Sequence, residues 1–214
     1  MYKLVIFDMD GTTIDTDLLV VESFSLTIQK FNPGYKPHLT DLLKFSGPAL
    51  PLSMAKCVPS DKVDEACRYF RDVSKPMYQT IVSVYPFLED VLKELTRRKI
   101  KIALNTNKLH AFALYGLECV HLEQYFPIIV AGGDVKKAKP NGEGVKEAMK
   151  RAGITNKQEV LYIGDTIVDL DTANDAKVDS MIVTWVPRHL PIGAKPTYYL
   201  DSYSNFFEVL HGKI

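Results

Sequence analysis

Two carboxylates one residue apart close an apolar run, where Val5-Ile6-Phe7 leads into Asp8-Met9-Asp10-Gly11-Thr12-Thr13. On an extended strand alternate side chains point the same way, so Asp8 and Asp10 converge on one point, and Gly11 lets backbone amides come close to a bound group. Such a pair suits covalent chemistry with proton transfer: one carboxylate attacks while its neighbour handles protons. Read alone, the segment could also be a strand that ends in an ordinary Asp-Gly turn.

Three later strand ends supply groups for the same chemistry. After Lys101 to Asn105 come Thr106-Asn107-Lys108, whose hydroxyl and amide could bind phosphate oxygens or cap the next helix. Pro127 to Ala131 leads through Gly132-Gly133-Asp134-Val135 into Lys136-Lys137-Ala138-Lys139-Pro140. A lysine there could neutralise a phosphoryl group, although lysines usually lie in solvent; Lys139 is favoured because Pro140 stiffens the chain behind it. Val160 to Ile163 leads into Gly164-Asp165-Thr166-Ile167-Val168-Asp169. Asp165 and Asp169 could complete a hard-cation site with Asp8 and Asp10, or cap the helix that begins near Asp169. Oxygen ligation through carboxylates, waters and a phosphate points to Mg²⁺, without which the carboxylates would repel one another and the phosphate.

These segments need a scaffold that brings strand ends together. Short Val/Ile-rich runs alternate with helix-like stretches at Leu88 to Lys99, Leu109 to Cys119, Gly142 to Ala152 and Asp169 to Ala176, and a last run covers Ser180 to Thr184. This pattern predicts an α/β fold with a doubly wound parallel sheet and ligands beyond its carboxyl edge. The stretch from 17 to 82 lacks such runs. Leu18, Val21, Phe24, Ile28 and Phe31 mark a helix ended by Asn32-Pro33-Gly34, Leu42, Leu43 and Phe45 precede a Gly47-Pro48 break, and Val63 to Val73 predicts another helix that Pro76 kinks or ends. The expected organisation is a core of 1–16 and 83–214 with a small helical cap, 17–82, inserted over the site.

The 214 residues carry 26 Lys+Arg and 26 Asp+Glu, so no global field recruits nucleic acid or an anionic membrane. No apolar run reaches the roughly 20 residues of a membrane span. Three dispersed cysteines, Cys57, Cys67 and Cys119, imply reduced thiols, and the cytoplasm is the expected compartment. The dispersed histidines, His189 among them, and Trp185 read as packing or surface residues.

The residues in this order resemble the haloacid dehalogenase superfamily, in particular its phosphatases of the phosphoglycolate phosphatase type, over nearly the whole chain. Asp8-Met9-Asp10-Gly11-Thr12 resembles the first motif, Thr106 the second, Lys139 the third and Gly164-Asp165-Thr166-Ile167-Val168-Asp169 the fourth, while Ser46-Gly47-Pro48 looks like the cap's substrate-facing loop. The resemblance implies a Rossmann-like core and hydrolysis of a small phosphorylated metabolite, with Asp8 as nucleophile and Asp10 as general acid and base. It further implies that Gly11, Thr12, Thr106, Asn107 and Lys139 hold the phosphoryl oxygens. Mg²⁺ would be held by Asp8, the Asp10 carbonyl, Asp165 and Asp169, the last as ligand or support. A carboxylate at Asp10 argues against a dehalogenase. A phosphomutase of the β-phosphoglucomutase type keeps both aspartates and stays as the alternative, followed by a non-catalytic phosphate-binding protein. Three positions depart from the usual pattern: Gly142 stands where a proline is common, and Lys177 and Phe87 where glycines are.

Overall fold

The computed structural model describes residues 1–186, 188 and 190–214, so His189 lies outside the described residues. In chain order the first half contains β1 (Leu4–Phe7), β2 (Ile14–Asp15), α1 (Asp17–Phe31), α2 (Leu39–Leu43), α3 (Leu50–Met54), α4 (Val63–Ile81) and β3 (Ser83–Val84). The second half contains α5 (Leu88–Arg97), β4 (Lys101–Leu109), α6 (His110–Cys119), β5 (Ile128–Gly132), α7 (Glu143–Ala152), β6 (Val160–Gly164), α8 (Ile167–Ala176), β7 (Asp179–Val183), β8 (Tyr198–Leu200) and α9 (Phe206–Val209).

β1 shows why the sheet is sandwiched. All its side chains are buried, Leu4 and Ile6 against Val145, Ala148 and Tyr162, Val5 and Phe7 against Leu92, Leu95 and Leu104. A strand that is apolar on both sides needs helices on both faces. Six parallel strands follow the order β5-β4-β1-β6-β7-β8. Because the chain goes from β1 to β4 on one side and later to β6 on the other, the order reverses at β1 and opens a crevice beyond its carboxyl end. That is where Asp8 and Asp10 lie. The antiparallel pair β2 and β3 brackets α1 to α4, so the helical segment leaves and re-enters the core through adjacent strands.

Among the elements that differ from expectation are β4, α4 and β8. β4 does not stop at Asn105 but runs to Leu109, with its register to β5 shifting between those residues, and this extension carries Thr106 and Lys108 to the sheet edge. α4 passes through Pro76 to Ile81 instead of ending there. The proline removes the bond to the Asp72 carbonyl, but both residues are exposed, so water can satisfy the freed group. β8 has no counterpart in the sequence reading because a three-residue strand leaves too little pattern.

Of the three departures from the usual pattern, that at Gly142 has a local cause, whereas Phe87 and Lys177 stand on backbone that favours glycine. Gly142 donates its N–H to Asp175 Oδ2 at 2.8 Å, and a Cβ there would meet the Ala176 nitrogen at 2.6 Å; proline would lose the bond and collide. Phe87 (φ 65°) and Lys177 (φ 62°) both adopt the left-handed conformation that glycine reaches without a Cβ clash. Lys177 ends α8 as Gly153 ends α7. Lys177→Gly should therefore stabilise the protein by about 1 kcal/mol, a Tm rise of about 2–4 °C. A Tm that stayed level or fell would show that the lysine carries no such strain.

Candidate active site

The carboxyl ends of β1, β4 and β6 and the loop before α7 bring the expected residues to one place. Asp8 is 3% exposed, fixed by its own N–H to Ile163 O (2.8 Å) and by Thr13 Oγ1 donating to its carbonyl (2.5 Å). Lys139, which is also buried, donates from Nζ to Asp8 Oδ1 (2.5 Å) and to Asp169 Oδ1 (2.7 Å). Burial drives the Asp8 carboxyl up, the Lys139 ammonium pulls it back, and Asp169 and Asp10 push it up again, leaving it at about 7. For Lys139 burial acts downward, but Asp169 and Asp8 outweigh it and hold the ammonium well above its ordinary range. Lys139 is thus a fixed cation against the nucleophile candidate.

Asp10 sits in a different field. Lys108 Nζ reaches both its oxygens, at 2.9 and 2.8 Å, and Thr16 Oγ1 donates to Oδ1 at 2.6 Å. Burial alone would raise Asp10; Lys108, Thr16 and Arg188 together bring it below its ordinary range. Two carboxylates one residue apart are therefore pushed in opposite directions, the arrangement expected of groups with different tasks.

Carboxylate oxygens of Asp8, Asp165 and Asp169 all lie within 4.8 Å of one another. Asp169 has both oxygens engaged: Oδ2 accepts from Thr166 N, Thr166 Oγ1 and Asp165 N in the capping box that starts α8, and Oδ1 accepts from Lys139 and Tyr162. Asp165 is the opposite case. It is wholly buried, and among the described residues neither oxygen has a hydrogen-bond partner. Arg188 forms ion pairs with Asp165 and with Asp17 at the start of α1, but its contact with Asp165 has no hydrogen-bond geometry. A buried carboxylate whose one cationic neighbour makes no hydrogen bond to it among the described residues, beside two more carboxylates, fits a hard divalent cation.

A family model described as haloacid dehalogenase-like hydrolase matches residues 5–183. The chain belongs to this family. Pyrophosphatase PpaX of Oceanobacillus iheyensis is 30% identical over 94% of this chain and 89% of its own length, and PpaX of Halalkalibacterium halodurans is 32% identical over 86% and 84%. Among solved structures, a haloacid dehalogenase-like family protein of Streptococcus pneumoniae superposes with a TM-score of 0.85 at 21% identity over 97% of each chain. One described as a predicted phosphoglycolate phosphatase from Haemophilus somnus gives 0.87 at 18% identity over 97% of each. At these identities the structures speak for the fold alone.

Within this hydrolase fold the remaining expected residues fall into two groups. Thr106 lines a cavity of about 270 Å³ that opens on Asp8 and Asp10; its Oγ1 accepts from Lys108 N, and among the described residues its hydroxyl hydrogen has no acceptor. Ser46, Gly47 and Pro48 line the same cavity from the helical segment. Asn107 lines it too, but its amide is spent: Oδ1 accepts from Lys139 N, and Nδ2 donates to the Lys139 and Gly47 carbonyls. It ties the Lys139 loop to the Ser46-Gly47-Pro48 loop instead of offering donors to a phosphate. Gly11 and Thr12 do not reach the cavity. The Gly11 N–H closes the turn on Ile14 O, and Thr12 is buried beneath Tyr203, whose hydroxyl donates to the Thr12 carbonyl at 3.0 Å. Trp185 is half-buried and packs between Tyr85 and Tyr203, as expected of a packing residue.

Lys108 and Arg188 are residues of the site that lie outside the set expected from the sequence. Lys108 was within reach, since it stands two residues after Thr106 on one strand and so shares its face.

Proposed function

We propose that the protein is a phosphatase that hydrolyses a small phosphorylated metabolite through an aspartyl-phosphate on Asp8. The observation that carries this is the pairing of a buried Asp8, which lines the cavity and is gripped by Lys139, with Asp10 held by Lys108 two residues on. An Asp8 oxygen attacks phosphorus and the bond to the leaving oxygen breaks, that oxygen taking a proton from Asp10. Asp10 then removes a proton from water, which attacks the acyl phosphate, releases inorganic phosphate and restores Asp8. At rest Asp10 is a carboxylate, the state of a base. Arrival of an anionic phosphoryl group raises its proton affinity and prepares it to act first as an acid. Lys139 uses two of its three donors on Asp8 and Asp169 and keeps one for a phosphoryl oxygen, next to the Thr106 hydroxyl.

Mg²⁺ held by Asp8, Asp165 and the Asp10 carbonyl would supply positive charge to the phosphoryl oxygens. Asp169, with both oxygens occupied, positions Lys139 and the Asp165-Thr166 turn. Binding of the cation must displace the Asp8 proton. The Kd for Mg²⁺ should therefore fall as pH rises from about 5 to about 7, by up to about tenfold per pH unit. Calorimetry that gave one affinity across this window would remove Asp8 from the ligand set. The free Cys57, Cys67 and Cys119 fit a reducing compartment such as the cytoplasm, and among the described residues no helix is long and apolar enough to cross a membrane. Phosphate release from an aryl phosphate with Mg²⁺ and its loss in EDTA is the expected result; no release under either condition would contradict the reading.

A further inference from the structure

The cavity changes character away from Asp8 and Asp10. Its outer wall is built from Val20, Phe24, Phe45, Leu50, Phe70 and Phe112. Phe24 packs on Phe45 and on Phe70, each with ring centroids 4.8 Å apart, so the wall is a preformed aromatic surface. Set into it is one helix face: Arg71, Ser74 and Tyr78 stand at i, i+3 and i+7 of α4, and all three line the cavity. Tyr78 marks the inner end, because its ring lies 5.8 Å from Lys108 Nζ. Arg71 is two helical turns further out, about 10 Å along the axis.

The cations around this space are unequally available. Lys139 is committed to Asp8 and Asp169, and Lys108 holds Asp10 with two bonds. Among the described residues no carboxylate pairs with Arg71. A leaving phosphate would bring concentrated charge against phenylalanine rings with only Arg71 among these cations left to meet it, and burying charge without partners is costly. A compact apolar body with one anionic group at its far end would fill the wall and reach Arg71.

We propose that the substrate is an organic phosphate monoester whose alcohol carries a compact apolar body and one anionic group read by Arg71, and that inorganic pyrophosphate is a poor substrate. This rests on the phosphatase reading above. Hydrolysis then consumes one water, breaks the phosphorus–oxygen bond to the alcohol and yields the alcohol and phosphate.

The test compares phenyl phosphate, 4-carboxyphenyl phosphate and pyrophosphate on wild type and Arg71→Gln, with Mg²⁺. Wild type should favour the carboxylate-bearing ester over phenyl phosphate in kcat/KM by about 10- to 100-fold, the scale of a hydrogen bond to a charged group, with pyrophosphate last. Arg71→Gln should erase the carboxylate advantage and leave phenyl phosphate within about twofold, since no anion there meets the arginine. Pyrophosphate as the best substrate, or equal losses on both aryl esters, would overturn the inference while leaving a phosphatase in place. Should no compound be hydrolysed, the phosphatase reading fails, and calorimetry with 4-carboxybenzylphosphonate and benzylphosphonate decides the pocket. Tighter binding of the carboxylate analogue that vanishes in Arg71→Gln supports it, and equal binding of the two overturns it.

Discussion

Asp8→Asn should lower kcat by at least about 10⁴-fold while leaving the fold intact, the scale seen when a covalent nucleophile is removed. Asparagine matches aspartate in shape, but its amide cannot displace a leaving group at phosphorus. The fold should tolerate the change because Lys139 keeps Asp169 as a partner at 2.7 Å and one buried negative charge disappears. The Asp8 carboxyl, held up at about 7, shows that its ionised form is already costly where it lies. Without added cation the variant's Tm should equal or exceed that of wild type at pH 7.5. Residual activity near the wild-type level in a folded variant would remove Asp8 from its role; a collapsed Tm would show that the carboxylate holds the fold together instead.

The second large effect falls on stability as well as activity. Lys139→Met removes the one ammonium that touches both Asp8 and Asp169 and leaves two buried carboxylates facing each other. Breaking a buried pair by deleting one partner costs about 3–5 kcal/mol, which for a chain of this length lowers Tm by about 6–20 °C. Turnover should fall with it, since the phosphoryl group loses its nearest fixed cation. The sign of the pH dependence is specific. Without Lys139, which lowers it, the Asp8 carboxyl rises beyond about 7, so the folded variant binds a proton that the unfolded chain has given up above its ordinary carboxylate range. Below about pH 7 wild type binds that proton too, so the two proteins differ only above it: the stabilisation is lost as pH rises through the variant's higher folded value, and the deficit should shrink as pH falls from 9 to about 7. A deficit that stayed constant would mean that lost packing, and not unpaired charge, explains the effect.

The placement of Asp8 and Asp165 was legible in the sequence because each directly follows a strand whose pattern is strong. Val5 to Phe7 and Val160 to Ile163 are apolar on both faces, and such strands deliver the residues after them to one edge of a parallel sheet. Asp8 and Asp165 are legible for that reason, and Thr106 nearly so. Lys108 was hidden by one error of length: with β4 ended at Asn105 the next residues read as a loop, whereas in the strand the two-residue period puts Lys108 beside Thr106. Asn107, between them, lines the same cavity but spends its amide on fastening two loops, which alternation alone does not show. Arg188 is illegible for a different reason. It lies in no periodic element, and its partner Asp17 is 171 residues away in sequence, so only the assembled fold can bring them together. The apolar lining around Phe24, Phe45 and Phe70 is an intermediate case: its helices were visible, but the same aromatics would serve a packed core equally well, and only the cavity shows which faces stay open.

Covalent passage of phosphate through Asp8 is the step on which the proposed mechanism depends. A rapid mix of enzyme with substrate and Mg²⁺, quenched with borohydride, tests it, because borohydride reduces an acyl phosphate to an alcohol and turns the aspartate that carried it into homoserine. Peptide mass spectrometry should find homoserine at position 8, absent without substrate and absent in Asp8→Asn. An unmodified Asp8 at every time point while phosphate accumulates, or the alcohol at another aspartate, would refute covalent catalysis at Asp8.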